Sequence, residues 1–176
     1  FVFAWGLTAY AVGQITWDIQ VASKWNPFPG PSDILYLALG PAFAVGFAMD
    51  LRARLTPSSL QQTALDVVGL LLGGLALVLS LYLPIRNDSS VLQMTVLVAY
   101  PLGLFAAAAV GLMYVVTLRL RPSPGEALLV IALFGQAFSW MHWKALTRTH
   151  GLRDGSFFND GFSLLAPAQG FGRMQG

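Results

Sequence analysis

Cysteine is absent from the 176 residues, which excludes disulfides, thiolate metal centres and cysteine nucleophiles and leaves the redox compartment unmarked. Charge is scarce as well. Asp, Glu, Lys and Arg make up 10% of the chain, against roughly 25% in soluble domains. So few charges cannot cover an aqueous surface on a chain that is 56% hydrophobic with a mean hydropathy of +0.64. Lipid is therefore the expected solvent of its outer faces. The formal net charge of +2 is too small to argue for a nucleic-acid partner. No Ser-His-Asp set, P-loop or dinucleotide fingerprint occurs, so no enzyme of the soluble type is expected. No basic stretch precedes the apolar run at Phe1; a signal peptide is not expected, and the chain is expected to start partway along a helix or to follow a further segment.

Long apolar runs, by contrast, are plentiful. A spanning helix needs about 20 mostly apolar residues, and the pattern predicts an all-α polytopic transmembrane bundle in a single domain. Five full spans are expected over about 1–21, 32–49, 59–83, 91–118 and 124–146, with an incomplete or re-entrant sixth over 157–168. Ser32 or Asp33 is the expected N-cap of the second span, and Pro41 its expected kink. Pro57 and Pro84 bound the third.

Orientation follows from Lys and Arg placement in short connections. Arg52 and Arg54 lie between the second and third spans, Arg119 and Arg121 between the fourth and fifth; the rule puts all four in the cytoplasm. The connections holding Trp25 and Asp88 then face the other side. Lys144, Arg148 and Arg153 follow the fifth span on that same outer side, against the rule, and Asp154 and Asp160 do not offset them because Asp and Glu carry little weight in it.

An internal similarity suggests a parallel repeat. Gly13-Gln14-Ile-Thr-Trp17 resembles Gly135-Gln136-Ala-Phe-Ser-Trp140, and Ser32-Asp33 with Pro41 downstream resembles Asn159-Asp160 with Pro167 downstream. Both pairs recur at nearly the same displacement, which encloses four spans, so the copies would insert in one orientation.

Trp17, Pro31-Ser32-x-x-Leu35-Tyr36-Leu37 with Asp33 inside it, Pro41, Asp66, and Ala99-Tyr100-Pro101-Leu102-Gly103 follow one another in order. Together they resemble the multi-pass N-terminal sensory region of bacterial diguanylate cyclases, cyclic-di-GMP phosphodiesterases and sensor histidine kinases. The resemblance covers most of the chain. It implies a bacterial inner-membrane bundle that senses a small ligand or membrane state and signals to a cytoplasmic output domain. The chain departs from that pattern at Gln14, at Leu104 and around Met141-His142, where acids are usual. It carries no Gly-Gly-Asp-Glu-Phe, Glu-Ala-Leu or kinase signature, so either an output domain lies outside these residues or the chain is a stand-alone relative.

The resemblance makes Trp17, Asp33, Tyr36, Asp66 and Tyr100 the candidate ligand-responsive residues. Each also has a plainer reading. Asp66 lies inside an apolar run, where an acid costs on the order of 2.5–3.5 kcal/mol at mid-bilayer. It is either a protonatable or ligand-binding group or an interfacial acid paired with Gln62 or Arg54. Asp33 and Asp160 sit at helix starts, where capping alone accounts for them. His142 could contact haem, a pigment or a quinone, but with Trp140, Trp143 and Lys144 beside it an interfacial belt is the simpler expectation. Gln14 and Gln136 are expected to hydrogen-bond between helices, and Gly69-x-x-x-Gly73 offers a small face for packing or a homodimer. No cofactor is specified. The expected partners are the lipid bilayer, other membrane subunits or a second copy, and an output domain. The alternative function is an accessory subunit of a bioenergetic or photosynthetic complex; a transporter is the weaker third reading, because buried charge for ion coupling is scarce.

Overall fold

The computed structural model describes residues 1–25, 27–84, 86, 89–117 and 124–150, with side chains as far as 142 in the last stretch. The connection at Arg119 and Arg121, Asp88, the basic residues after 142 and the sixth span with Asp160 and Pro167 lie outside the described residues, and with that span the Asn159–Pro167 part of the repeat. Among those described there is no strand. Six helices follow in order: α1 (Val2–Ala22), α2 (Pro31–Leu37), α3 (Leu39–Arg54), α4 (Pro57–Tyr82), α5 (Val91–Thr117) and α6 (Pro124–His150).

The helix ends follow from local chemistry. At the end of α1, the Lys24 amide bonds Val21 O at 3.1 Å and the Trp25 amide bonds Gln20 O at 3.0 Å. That pair of reverse bonds is a Schellman ending, with Lys24 at φ 54° in the position glycine usually fills. Helix α4 begins with Thr56 as N-cap, its hydroxyl accepting from the Ser59 amide, and with Pro57 in the first turn, where its missing N–H costs nothing. Helix α5 opens with a reciprocal box, Gln93 N–H to Ser90 Oγ at 3.2 Å and Ser90 N–H to Gln93 Oε1 at 3.0 Å.

The second expected span is two helices. Its break falls at Ala38 rather than at Pro41 itself. Proline removes one amide and crowds the carbonyl four residues earlier, and four before Pro41 is Leu37, the last residue of α2. The start also differs from expectation. Gly30 is the N-cap, Pro31 the first helical residue, and Asp33 reaches back from the third position, its Oδ2 accepting from Gly30 N–H at 2.6 Å. Ser32 is buried, and its backbone amide donates to Gln20 Oε1 of α1 at 3.2 Å.

Among the described residues, four stretches are long and apolar enough to cross a membrane: Pro31–Arg54 taken across the break, Pro57–Tyr82, Val91–Thr117 and Pro124–His142. At 21 residues α1 has the length but falls outside this set. Gln14, Asp18 and Gln20 lower its hydropathy, and two of the three are held by bonds to α2 described below. The molecule is thus a multi-pass membrane protein of apolar helices.

Helix α5 is the hub: α3, α4 and α6 pack on it, and α1 lies against α2 and α3. Phe43, Phe47, Leu104, Phe105, Tyr114 and Val130 belong to one continuous core. Phe3 of α1 meets both Phe43 and Phe47 edge-on at 5.1 Å, a geometry that places ring edges on ring faces. The closest backbone approach joins α3 to α5, where a β-carbon on Gly40 would lie 2.4 Å from the Gly103 carbonyl carbon. Only glycine fits there, and small residues at such crossings let membrane helices pack by dispersion alone.

At one end of the bundle Arg54, closing α3, donates to the Tyr114 hydroxyl at 3.3 Å, and that hydroxyl donates to Glu126 Oε1 at 2.7 Å. The Arg54 guanidinium also lies 5.3 Å from the Tyr114 ring centre. The ends of α3 and α5 and the start of α6 are therefore neighbours, as an up-and-down bundle requires. At the other end Gln93 Nε2 donates to Phe28 O at 3.1 Å, holding the α1–α2 connection onto the first turn of α5.

Candidate functional site

Below that anchor, α1, α2, α5 and α6 bring polar side chains together inside the bundle. The spacing on α1 explains its share. Tyr10 and Gln14 are four residues apart and so share a face, and Gly13 between them is buried against α2, with room for a hydrogen but little for a methyl. A β-carbon on Gly13 would lie 3.0 Å from the Tyr36 ring. Tyr36 stands against Tyr10 with ring centres 5.2 Å apart, and its hydroxyl donates to Gln14 Oε1 at 2.9 Å. Gln14 in turn donates from Nε2 to Asp18 Oδ1 at 3.1 Å.

Asp33 is the junction. One carboxylate oxygen takes the Gly30 amide; the other accepts the Tyr100 hydroxyl proton from α5. A carboxylate so placed serves twice: it caps α2 and ties the α2 start to the hub helix. Tyr100 is buried and lies about 14 Å along α5 from Val91 at about 1.5 Å per residue, so the bond sits within the span rather than at its mouth. The Trp140 ring of α6 stacks on Tyr100 at 4.4 Å with 23° between planes. Trp140 therefore turns into the bundle instead of joining an interfacial belt, because Tyr100 offers its ring face at a matching height.

Asp33, Tyr36 and Tyr100 are thus together. Trp17 and Asp66 are not with them. Trp17 of α1 is 41% exposed, although at three residues from Gln14 it falls on the same side of the helix. Asp66 is exposed on α4, whose buried residues are only Val78 and Tyr82 near its far end. Arg54 binds Tyr114, leaving no ion pair with Asp66. His142 is exposed on α6, beyond Trp140. Among the described residues no group of three or more His, Asp or Glu side chains is arranged to hold a metal.

Tyr10, Trp140 and Gln136 join the site without having been nominated for it. Gln136 is 4% exposed and lines a small cavity with Tyr10, Tyr36, Leu104, Tyr100 and Trp140. The i, i+4 pairing of Tyr10 with Gln14 was a usable signal for the first. Nothing local distinguishes Trp140 from a belt tryptophan.

No protein-family model matches the chain, and no curated protein and no solved structure matches it either. The geometry therefore stands alone. It describes a polar junction, built from uncharged donors around Asp33 with Asp18 at its edge, that joins a short broken helix to its longer neighbours.

Proposed function

We propose that this chain is a sensory bundle of the bacterial inner membrane. In this reading the signal is a small apolar or interfacial ligand, or a change in membrane state, and the mobile part is the short helix α2 with the break at Ala38. The observation that carries it is the Tyr100–Asp33 bond, the side-chain hydrogen bond by which α2 is joined to α5. A ligand acts on such a bundle only through differing affinity for two packings. A broken helix held by a few polar contacts is the element with the smallest barrier between packings. The cytoplasmic end would be the one with Arg52 and Arg54, by the excess of basic residues there. The Arg54–Tyr114–Glu126 contacts would then pass a shift of α3 to α5 and α6.

Spin labels at Ile34 and Leu92, both exposed, test this in lipid vesicles. Changing acyl-chain length or adding amphiphiles is expected to move their distance distribution, and Tyr100→Phe is expected to give the shifted distribution without a stimulus. One distribution under all conditions, in both proteins, defeats the sensing reading.

A second reading, an accessory subunit of a larger membrane complex, is favoured by a different observation. Helix α4 leaves Asp66, Gly69 and Gly73 on one face, and nothing lies within 4 Å of a β-carbon built on either glycine. A carboxylate on a lipid-facing helix is costly, and a neighbouring subunit would relieve that cost. Isolation from native membranes with stoichiometric partner chains supports this reading. A gene that continues past Gly176 into a cyclase, phosphodiesterase or kinase domain supports the first.

A further inference from the structure

The cavity between α1, α2, α5 and α6, closed by Leu39 and Gly40 of α3, has a volume of about 10 Å³. That is the threshold for one water molecule, which also needs two to four polar partners. The partners are on its wall. Gln136 is buried, faces the Tyr10 hydroxyl, and has neither Nε2 nor Oε1 in a well-formed hydrogen bond. Within a bilayer no bulk solvent relieves such an amide. The hydroxyls of Tyr36 and Tyr100 have spent their protons on Gln14 and Asp33 and keep only lone pairs.

We propose that this cavity is a binding site for a single water molecule. Water matches the unmet groups: it donates to tyrosine oxygens and to an amide carbonyl, and it accepts from an amide N–H. A cation of similar size does not match. Among the described residues no carboxylate lines the cavity, and the Asp33 oxygens already accept from the Gly30 amide and the Tyr100 hydroxyl. The bound water extends the Gln14–Tyr36 and Tyr100–Asp33 contacts to α6, so all four helices share one network. This holds whether or not the bundle is a sensor.

The test uses the full chain in lipid nanodiscs and ¹⁸O-labelled water as the probe. After equilibration, X-ray radiolysis is expected to oxidise peptides holding Tyr36 or Tyr100 several-fold above those holding the core residues Phe43 and Phe47, with ¹⁸O in the product. Gln136→Met is expected to remove that excess and to lower Tm by about 2–4 °C. Labelling of the wild-type tyrosines no stronger than that of Phe43 and Phe47 overturns the proposal without any variant. So does a Gln136→Met protein with equal labelling, or with an unchanged or raised Tm, because an apolar side chain is favoured over an unsatisfied amide in a dry cavity.

Discussion

The Tyr100 hydroxyl of α5 donates to the Asp33 carboxylate at the start of α2, while Trp140 of α6 stacks on the same tyrosine ring. One residue thus ties three helices, by its oxygen to α2 and by its face to α6. Removing only the oxygen separates the two roles. Tyr100→Phe is expected to keep the stack and to lose about 1–2 kcal/mol, the range of interhelical hydrogen bonds in membranes with a charged acceptor. Tyr36→Phe, which removes a bond between neutral groups, is expected to lose less. Thermal unfolding in bicelles ranks the two, and an equal or reversed order would show that Asp33 keeps its partner elsewhere.

Glycines in this bundle fall into two kinds. Gly40→Ala puts a methyl within 2.4 Å of the Gly103 backbone, so α3 and α5 must separate. A loss of about 1–3 kcal/mol is expected, as for overpacked cores. Gly69→Ala and Gly73→Ala meet nothing within 4 Å and are expected to be neutral or to gain up to about 1 kcal/mol from helix propensity. Denaturation of the three variants side by side checks this; a stabilised Gly40→Ala would disprove the crossing.

The Arg54–Tyr114–Glu126 contacts sit at an end of the bundle with Arg54 exposed. Their worth is expected to be small, below about 1 kcal/mol, and to fall with added salt. A double-mutant cycle between Arg54→Ala and Glu126→Ala, at low and high salt, reads the coupling directly. A coupling above that bound and insensitive to salt would mean the cluster is shielded from solvent.

Among the described residues Asp66 is exposed and makes no hydrogen bond or ion pair. Asp66→Leu is expected to change the stability of helix packing by less than about 0.5 kcal/mol, because the side chain faces out of the bundle and its lipid exposure is the same with the helices packed or apart. Under the accessory-subunit reading it is also expected to cut recovery of partner chains from native membranes. A large loss of stability in the isolated protein would place Asp66 in a contact within the bundle.

Topology can be checked independently of packing. Cysteine introduced at Ser58 is expected to be protected from an impermeant maleimide added outside intact cells, and cysteine at Ser89 to react, if the connection with Arg52 and Arg54 follows the positive-inside rule. The absence of native cysteine makes both readouts free of background. Reversed labelling would invert the bundle.

The amino-acid sequence by itself determined that this is a bundle of apolar helices, because 10% charge cannot clothe a chain of this size in water and each run matches the length of a span. It also marked the start of α4 at Pro57 and a break near Pro41, since proline acts on backbone groups within a turn of itself. Only the tertiary structure decided which polar residues meet. Tyr36 and Asp66 are both polar interruptions of apolar helices, yet one closes on Gln14 and the other faces outward. That outcome depends on how each helix is rotated about its axis, and the α1, α3, α5 and α6 rotations are set by close contacts such as Gly40 against Gly103 and Trp140 on Tyr100. Without a sharply one-sided apolar stripe, a helix that is apolar all round carries little record of which face is inside.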